Sequence, residues 1–242
     1  IRSMINAPMG YNTEDQITIS NEYGRAGDLT PLINKLNGES CVEAVGLGNG
    51  YPMFGTNNWT MSTESGKEAS FQMVQGDSAY FNILGIRKKQ DNHSPNSYWL
   101  NEYAYGILEI DETATEFTTK SNSTMQIGGI YYDFKIKPLL EEQHPALIYQ
   151  YDEYPSNRWP WTILVKTTPD HKEAFARVKA VIDELYPDKI FDASYVEDDI
   201  KMVFASENRV LEIMVLFTIL SLFVSALGLV AMSSYYMQQE RR

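Results

Sequence analysis

The stretch Trp161–Val196, WTILVKTTPDHKEAFARVKAVIDELYPDKIFDASYV, decides the fold class. Trp161 to Lys166 is a short apolar run that reads as a strand. Thr167-Thr168-Pro169-Asp170 supplies helix start signals, with Asp170 and Glu173 placed as a capping box. Phe175, Val178, Val181, Ile182 and Leu185 recur at helical spacing, Pro187 stops the helix, and Lys189 to Val196 returns as a strand. The plan is β-α-β, and it occurs once more near the other end of the chain. Gln16 to Ser20 alternates like a strand; Leu29, Leu32, Ile33 and Leu36 keep helical spacing with Gly38 as the stop; Cys41 to Leu47 is strand-like again. Two such units predict an α+β layer of the split, ferredoxin-like kind, a sheet on one side and two helices on the other.

Between them, from Asn49 to Gln143, the pattern is short and β-rich, punctuated by Asn/Ser clusters such as Asp91 to Ser97 and Ser121 to Thr124. Strands are expected at Ser70 to Val74, Ser97 to Leu100 and Met125 to Phe134, with short helices at Ser78 to Leu84 and Glu102 to Leu108. The organisation this predicts is residues 1–48 as the first part of the α+β subdomain, 49–145 as an inserted β-rich lobe, and 146–196 as the second part. Gly46-Leu47-Gly48-Asn49-Gly50 follows a strand but leads into Tyr51-Pro52 without a Lys-Ser/Thr, so it reads as a flexible turn and not as a phosphate loop. No repeat period of 20 to 50 residues is present.

The C-terminal part sets a different requirement. Ile213 to Gln239 contains no Asp, Glu, Lys or Arg. Residues 213–237 are rich in Leu, Val, Phe, Ile and Met, and at about 1.5 Å per residue they span about 37 Å, enough for a hydrocarbon layer of about 30 Å. Ile200, Val203, Phe204, Leu211 and Met214 carry the helical pattern back through residues 197–212, with no Gly or Pro between Glu197 and Leu227, and Ile200, Phe204, Asn208 and Leu211 are the expected coupling-stalk residues. A stalk helix continuous with one transmembrane helix is expected. Arg241-Arg242 favours the cytoplasm on the far flank, which places the bulk of the chain outside it. A start at Ile1 and a stop in a charged run suggest a piece of a longer polytopic protein.

With 32 acidic and 20 basic residues the net charge is −12, and outside the C-terminal arginines no basic cluster offers a phosphate-backbone surface, so nucleic acid is not an expected partner. Cys41 is the single cysteine; packing, not disulfides, must hold the domain, and a free, buried thiol is expected. His93, His144 and His171 are far apart and no metal-ligand spacing occurs, so neither a metal nor a cofactor is expected. No Gly-x-Ser-x-Gly elbow is present, and the pairs Glu141-Glu142 and Asp198-Asp199 are consecutive, pointing apart on a helix. No catalytic set is read. The run Tyr149, Tyr151, Tyr154, Trp159 and Trp161, stiffened by Pro155 and Pro160, could form a ligand or partner surface. The plainer alternative is that it fills the seam between two subdomains or lies near lipid headgroups.

Read together, Tyr80-Phe81-Asn82-Ile83-Leu84-Gly85-Ile86, Leu100-Asn101-Glu102-Tyr103-Ala104, Ile127-Gly128-Gly129-Ile130-Tyr131-Tyr132-Asp133-Phe134 with Pro138-Leu139, then Glu207 and the run Leu216-Phe217 through Ala226 to Ala231 resemble an FtsX/MacB-like ABC transporter permease. The resembling region is its extracytoplasmic (periplasmic) core domain and the following transmembrane helix. Arg87-Lys88-Lys89 stands where the family has Gly-Arg, a departure confined to that loop. The resemblance implies a porter-like α+β subdomain built from both ends of the segment and an inserted, mostly β one. It also implies a bacterial inner (cytoplasmic) membrane location, a permease dimer partner, contact with membrane lipid, and an ABC ATPase subunit or domain that supplies the nucleotide site. Function would then be coupling of ATP-driven motion to export or partner regulation. The competing readings are a sensory or ligand-binding ectodomain of a membrane receptor, and a membrane-anchored hydrolase.

Overall fold

A computed structural model describes residues 9–54, 56–63, 65–119, 123–136 and 144–240, without the side chains of 204, 206–211 and 234–240. Pro138-Leu139, Glu141-Glu142 and Arg241-Arg242 lie outside the described residues, as do Asn122 and the side chain of Glu207. The chain divides into two units, Ile1–Asp199 and Ile200–Arg242.

In chain order the first unit contains β1 (Gln16–Ser20), α1 (Thr30–Asn37), β2 (Val42–Asn49), β3 (Asn57–Ser62), β4 (Glu68–Asp77), α2 (Ser78–Leu84) and β5 (Lys88–Asp91). It continues with β6 (Ser97–Asn101), α3 (Glu102–Leu108), β7 (Glu116–Thr118), β8 (Thr124–Tyr131), β9 (Ala146–Tyr151), β10 (Thr162–Thr167), α4 (His171–Leu185) and β11 (Ala193–Tyr195). Helix α5 spans Val196–Glu240. The fold class is α+β.

The two β-α-β units interleave. Their strands lie in the order β11-β1-β10-β2 with every neighbour antiparallel, so each strand is paired with strands of the other unit. Alternation decides which side chains meet. Ile17 and Ile19 of β1, Val45 and Leu47 of β2, and Ile163 and Val165 of β10 all enter one core, closed by Leu29, Leu32 and Leu36 and by Val178, Val181 and Ile182 of α4. Each fully buried aliphatic of this set contributes about 1.5–3 kcal/mol relative to exposure. Asp170 caps α4 by accepting from the Glu173 N–H at 3.1 Å. The strand predicted over Lys189 to Val196 shrinks to β11, because the Lys189 N–H closes a turn onto Tyr186 O at 3.0 Å and Ile190 stands 79% exposed. Cys41 is free and buried.

The inserted region differs from expectation in one respect. It has a core of its own around Phe71, Leu100, Leu108, Ile127, Ile130 and Leu147. Its strands nevertheless continue the same hydrogen-bonded path, β2-β4-β9-β6-β8-β5, with β3 on β4 and β7 on β8. The region expected as an inserted lobe of its own therefore shares one sheet with the α+β layer, with β4, β9 and β6 in its middle. The join is narrow: β2 meets β4 only at Gly48↔Gly76 and Asn49↔Gln75. Strand β9 lies within the range read as the second part of the α+β subdomain, yet it runs parallel to β4 and antiparallel to β6. It touches both cores, with Leu147 in the second and Tyr151 in the first.

Glycines make the join possible. Gly46 and Gly48 lie within β2, not in a flexible turn, on the face opposite Val45 and Leu47. Helix α2 sits against them so closely that a Cβ on Gly46 would lie 2.4 Å from Tyr80 N, and one on Gly48 2.6 Å from the Tyr80 ring. Gly76 of β4 completes the seat, its Cβ position 2.4 Å from the same ring. Tyr80 is fully buried there and donates its hydroxyl to Gly50 O at 2.7 Å. Asp77 locks the arrangement, with Oδ1 accepting from Tyr80 N–H at 2.7 Å as the α2 cap and Oδ2 from Leu47 N–H at 3.2 Å.

Burial pushes the Asp77 carboxyl up to about 6, against the pull of those N–H groups. Because the folded value exceeds the unfolded one, the folded state holds the proton more tightly. The associated stability is complete below the unfolded value, near 4, and is lost as pH rises through about 6. Relative to Asp77→Asn, the parent is expected to gain on the order of 2 kcal/mol between pH 7.5 and pH 4.5. Denaturant unfolding of both proteins at the two pH values measures the difference. A difference that does not change with pH contradicts this assignment.

Candidate functional site

The first functional element is α5. From Glu212 to Ser233 its mean hydropathy is 2.6 and none of the window is buried. Those residues rise about 33 Å along the axis, matching a hydrocarbon layer of about 30 Å. Two of its hydroxyls are satisfied locally, Thr218 donating to Met214 O at 2.8 Å and Ser221 to Phe217 O at 2.9 Å. Such back-bonding leaves neither polar group unmet in lipid. Ile200 lies near the start of α5; Phe204, Asn208 and Leu211 follow on its helical backbone, and their side chains lie outside those described.

The aromatic run separates into two sets. Tyr149 and Tyr151 belong to β9 and not to a loop, and they continue a series of ring contacts: Trp59 to Tyr98 at 5.9 Å and tilted, Tyr98 to Tyr149 at 4.6 Å and Tyr149 to Tyr151 at 4.7 Å edge to face, Tyr151 to Tyr154 at 5.1 Å and tilted. Tyr151 and Tyr154 are buried in the first core, Tyr154 donates to Asn49 Oδ1 at the β2–β4 join, and the Arg158 guanidinium donates to Tyr151 Oη at 3.2 Å. These two tyrosines pack inside the first core and do not face solvent. Trp159 and Trp161, by contrast, remain 49% and 42% exposed, Trp159 held by its indole N–H on Asn21 O at 3.1 Å. Trp161 lines a cleft of about 400 Å³ with Tyr51, Phe54, Ser20, Asp192 and Ser194.

The carboxylates of the inserted region have structural partners. Asp133 Oδ1 accepts from Asn101 Nδ2 at 2.9 Å and Tyr103 N–H at 3.0 Å, and burial raises its carboxyl. Glu102 pairs with Lys89 at 2.9 Å. Asn101, itself buried, also accepts from Ala104 N–H and Ala146 N–H, fastening α3 and β9 to β6. One constellation is invisible in the sequence. Asp15, His171 and Glu197, from three distant segments, bring their ligating atoms within 4.8 Å of one another.

Together these features define an α+β domain followed by a helix of membrane-spanning length and composition. No family model matches the chain, and no curated protein matches it. Among solved structures it is similar to a domain assigned to a permease protein of Porphyromonas gingivalis, with TM-score 0.48, 13% identity, and 76% of this chain and 92% of that chain covered. It is also similar to the extracellular domain of the noncanonic ABC-type transporter YknZ from Gram-positive bacteria, with TM-score 0.47, 10% identity, and 78% of this chain and 91% of that chain covered.

Proposed function

We propose that the chain is the extracytoplasmic part, with one membrane helix, of an ABC-type transporter permease in a bacterial inner membrane, and that it couples ATP-driven motion to work outside the cytoplasm without catalysing a reaction itself. The observation that carries this reading is the passage from β11 to α5: the strand ends at Tyr195 and the helix begins at Val196, with no linker between them. A displacement of the helix then acts directly on β11 and on its partner β1. The ATPase subunit or domain, the second permease copy and the lipid are the partners this mechanism requires. In the same reading, residues 1–48 and 146–196 are the porter-like part, 49–145 the inserted lobe, 197–212 the stalk and 213–237 the transmembrane segment, with Trp159 and Trp161 available to a partner. Their exposure and the cleft beside Trp161 also favour a second reading, a ligand-binding ectodomain.

Asn208→Pro separates the two. Proline within α5 removes one backbone hydrogen bond and clashes with the preceding turn, a local cost of about 3 kcal/mol that kinks the stalk. In the full-length protein with its ATPase, the variant is expected to insert and to hydrolyse ATP, while extracytoplasmic activity per ATP falls severalfold. A coupling ratio equal to the parent's at matched insertion contradicts the rigid-stalk mechanism.

A further inference from the structure

We propose that Asp15, His171 and Glu197 form a binding site for one first-row divalent metal ion of the zinc type, seated where β1, α4 and α5 begin. His171 Nε2 lies 2.7 Å from Asp15 Oδ1, and Glu197 offers a carboxylate oxygen within 4.8 Å of both. An imidazole nitrogen with two carboxylate oxygens is a donor set suited to such ions, which bind these atoms at about 2.0–2.2 Å. A slight opening of the Asp15–His171 contact admits the ion, with water completing its shell.

The donors are held in place by the surrounding structure. Asp15 adopts φ 53°, and its carbonyl accepts from the Thr167 N–H at 2.8 Å and the Thr167 hydroxyl at 3.2 Å. The His171 ring stacks on Tyr195 at 4.2 Å, and the Tyr195 hydroxyl donates to His171 O at 2.9 Å. Asp15 and His171 side chains are 22% and 37% exposed, so an ion reaches them from solvent. Two carboxylates converging at this distance repel, and a dication relieves the repulsion. Lys166 Nζ, 3.6 Å from Asp15 Oδ2, partly does so already while it donates to Glu14 O at 2.8 Å. Occupancy would tie the root of α5 to the first strand and to α4.

The test is calorimetric titration of chelator-treated full chain in detergent with zinc chloride, alongside thermal unfolding. The expected result is one ion per chain, binding weakened at least about tenfold by His171→Asn or Glu197→Gln and tightened by Lys166→Met. At about 100-fold excess over Kd, zinc is expected to raise the parent's unfolding temperature by about 5 °C and that of His171→Asn by at most about half as much. The double variant His93→Asn/His144→Asn should bind as the parent does. The absence of saturable binding overturns the proposal, as does binding unchanged in His171→Asn or lost in the double variant.

Discussion

Replacing Leu220 and Val224 with aspartate is expected to release the chain from membranes. Both side chains are exposed, at 59% and 63%, inside the window Glu212–Ser233, and they lie one turn apart on the same face of α5. An aspartate at the centre of a membrane helix costs about 2.5–3.5 kcal/mol on the insertion scale, so the pair costs about 6 kcal/mol and changes partitioning by roughly four orders of magnitude. Flotation in a density gradient reads the outcome without confusing insertion with aggregation. The parent should float with lipid and the double variant should not. Ile190→Asp, at a position 79% exposed in the first unit, should float as the parent does. A double variant that still floats would show that α5 is held by something other than lipid. The same exposed surface implies that the parent needs detergent or pairs its helices once lipid is removed, with Ser221, Ser225, Gly228 and Ala231 offering small contacts for pairing.

Gly46→Val should unfold or severely weaken the first unit. The clashing atoms are Tyr80 N at 2.4 Å and Tyr80 Cα at 2.5 Å, backbone atoms of α2 that no rotamer change can move. Overpacking of this kind costs about 3 kcal/mol or more, and here it also lifts Tyr80 and Asp77 from the join between β2 and β4. Gly106→Ala is the matching control. Gly106 is exposed on α3 with open space around its Cβ position, so alanine there should stabilise by about 0.5–1 kcal/mol. Urea unfolding of both variants in one buffer decides the matter. Equal effects, or a tolerated valine at Gly46, would contradict the close seating of α2.

Where local chemistry is strong, the sequence and the fold agree. Helices α2 and α3 run from Ser78 to Leu84 and from Glu102 to Leu108 as read, because Asp77 and Asn101 are caps of ordinary type ahead of apolar runs. Helix α4 is legible from Asp170 and its apolar spacing, and α5 from the absence of charge after Glu212. Elements fixed by tertiary contact were not legible. The first three residues of β9, Ala146, Leu147 and Ile148, are all buried, so no alternation announces a strand, and its tyrosines resemble a binding loop. β5 is Lys-Lys-Gln-Asp, without an apolar residue, and forms by pairing with β8. The glycines of β2 look like a turn until Tyr80 is placed over them. The grouping of Asp15, His171 and Glu197 has no spacing signal, since the three meet only when β1 lies between β10 and β11.

The central claim is that the folded unit stands outside the cytoplasm on a helix that crosses the membrane, and cysteine accessibility tests it most directly. In a Cys41→Ser background, one cysteine is introduced at Glu153, exposed in the first unit, and in a second protein at Gln239, after the apolar run. Spheroplasts expressing each full-length protein are treated with a membrane-impermeant maleimide. Glu153→Cys should be labelled on intact spheroplasts, and Gln239→Cys only after the membrane is opened. Labelling of Gln239→Cys from outside, with Glu153→Cys protected until lysis, would contradict the account.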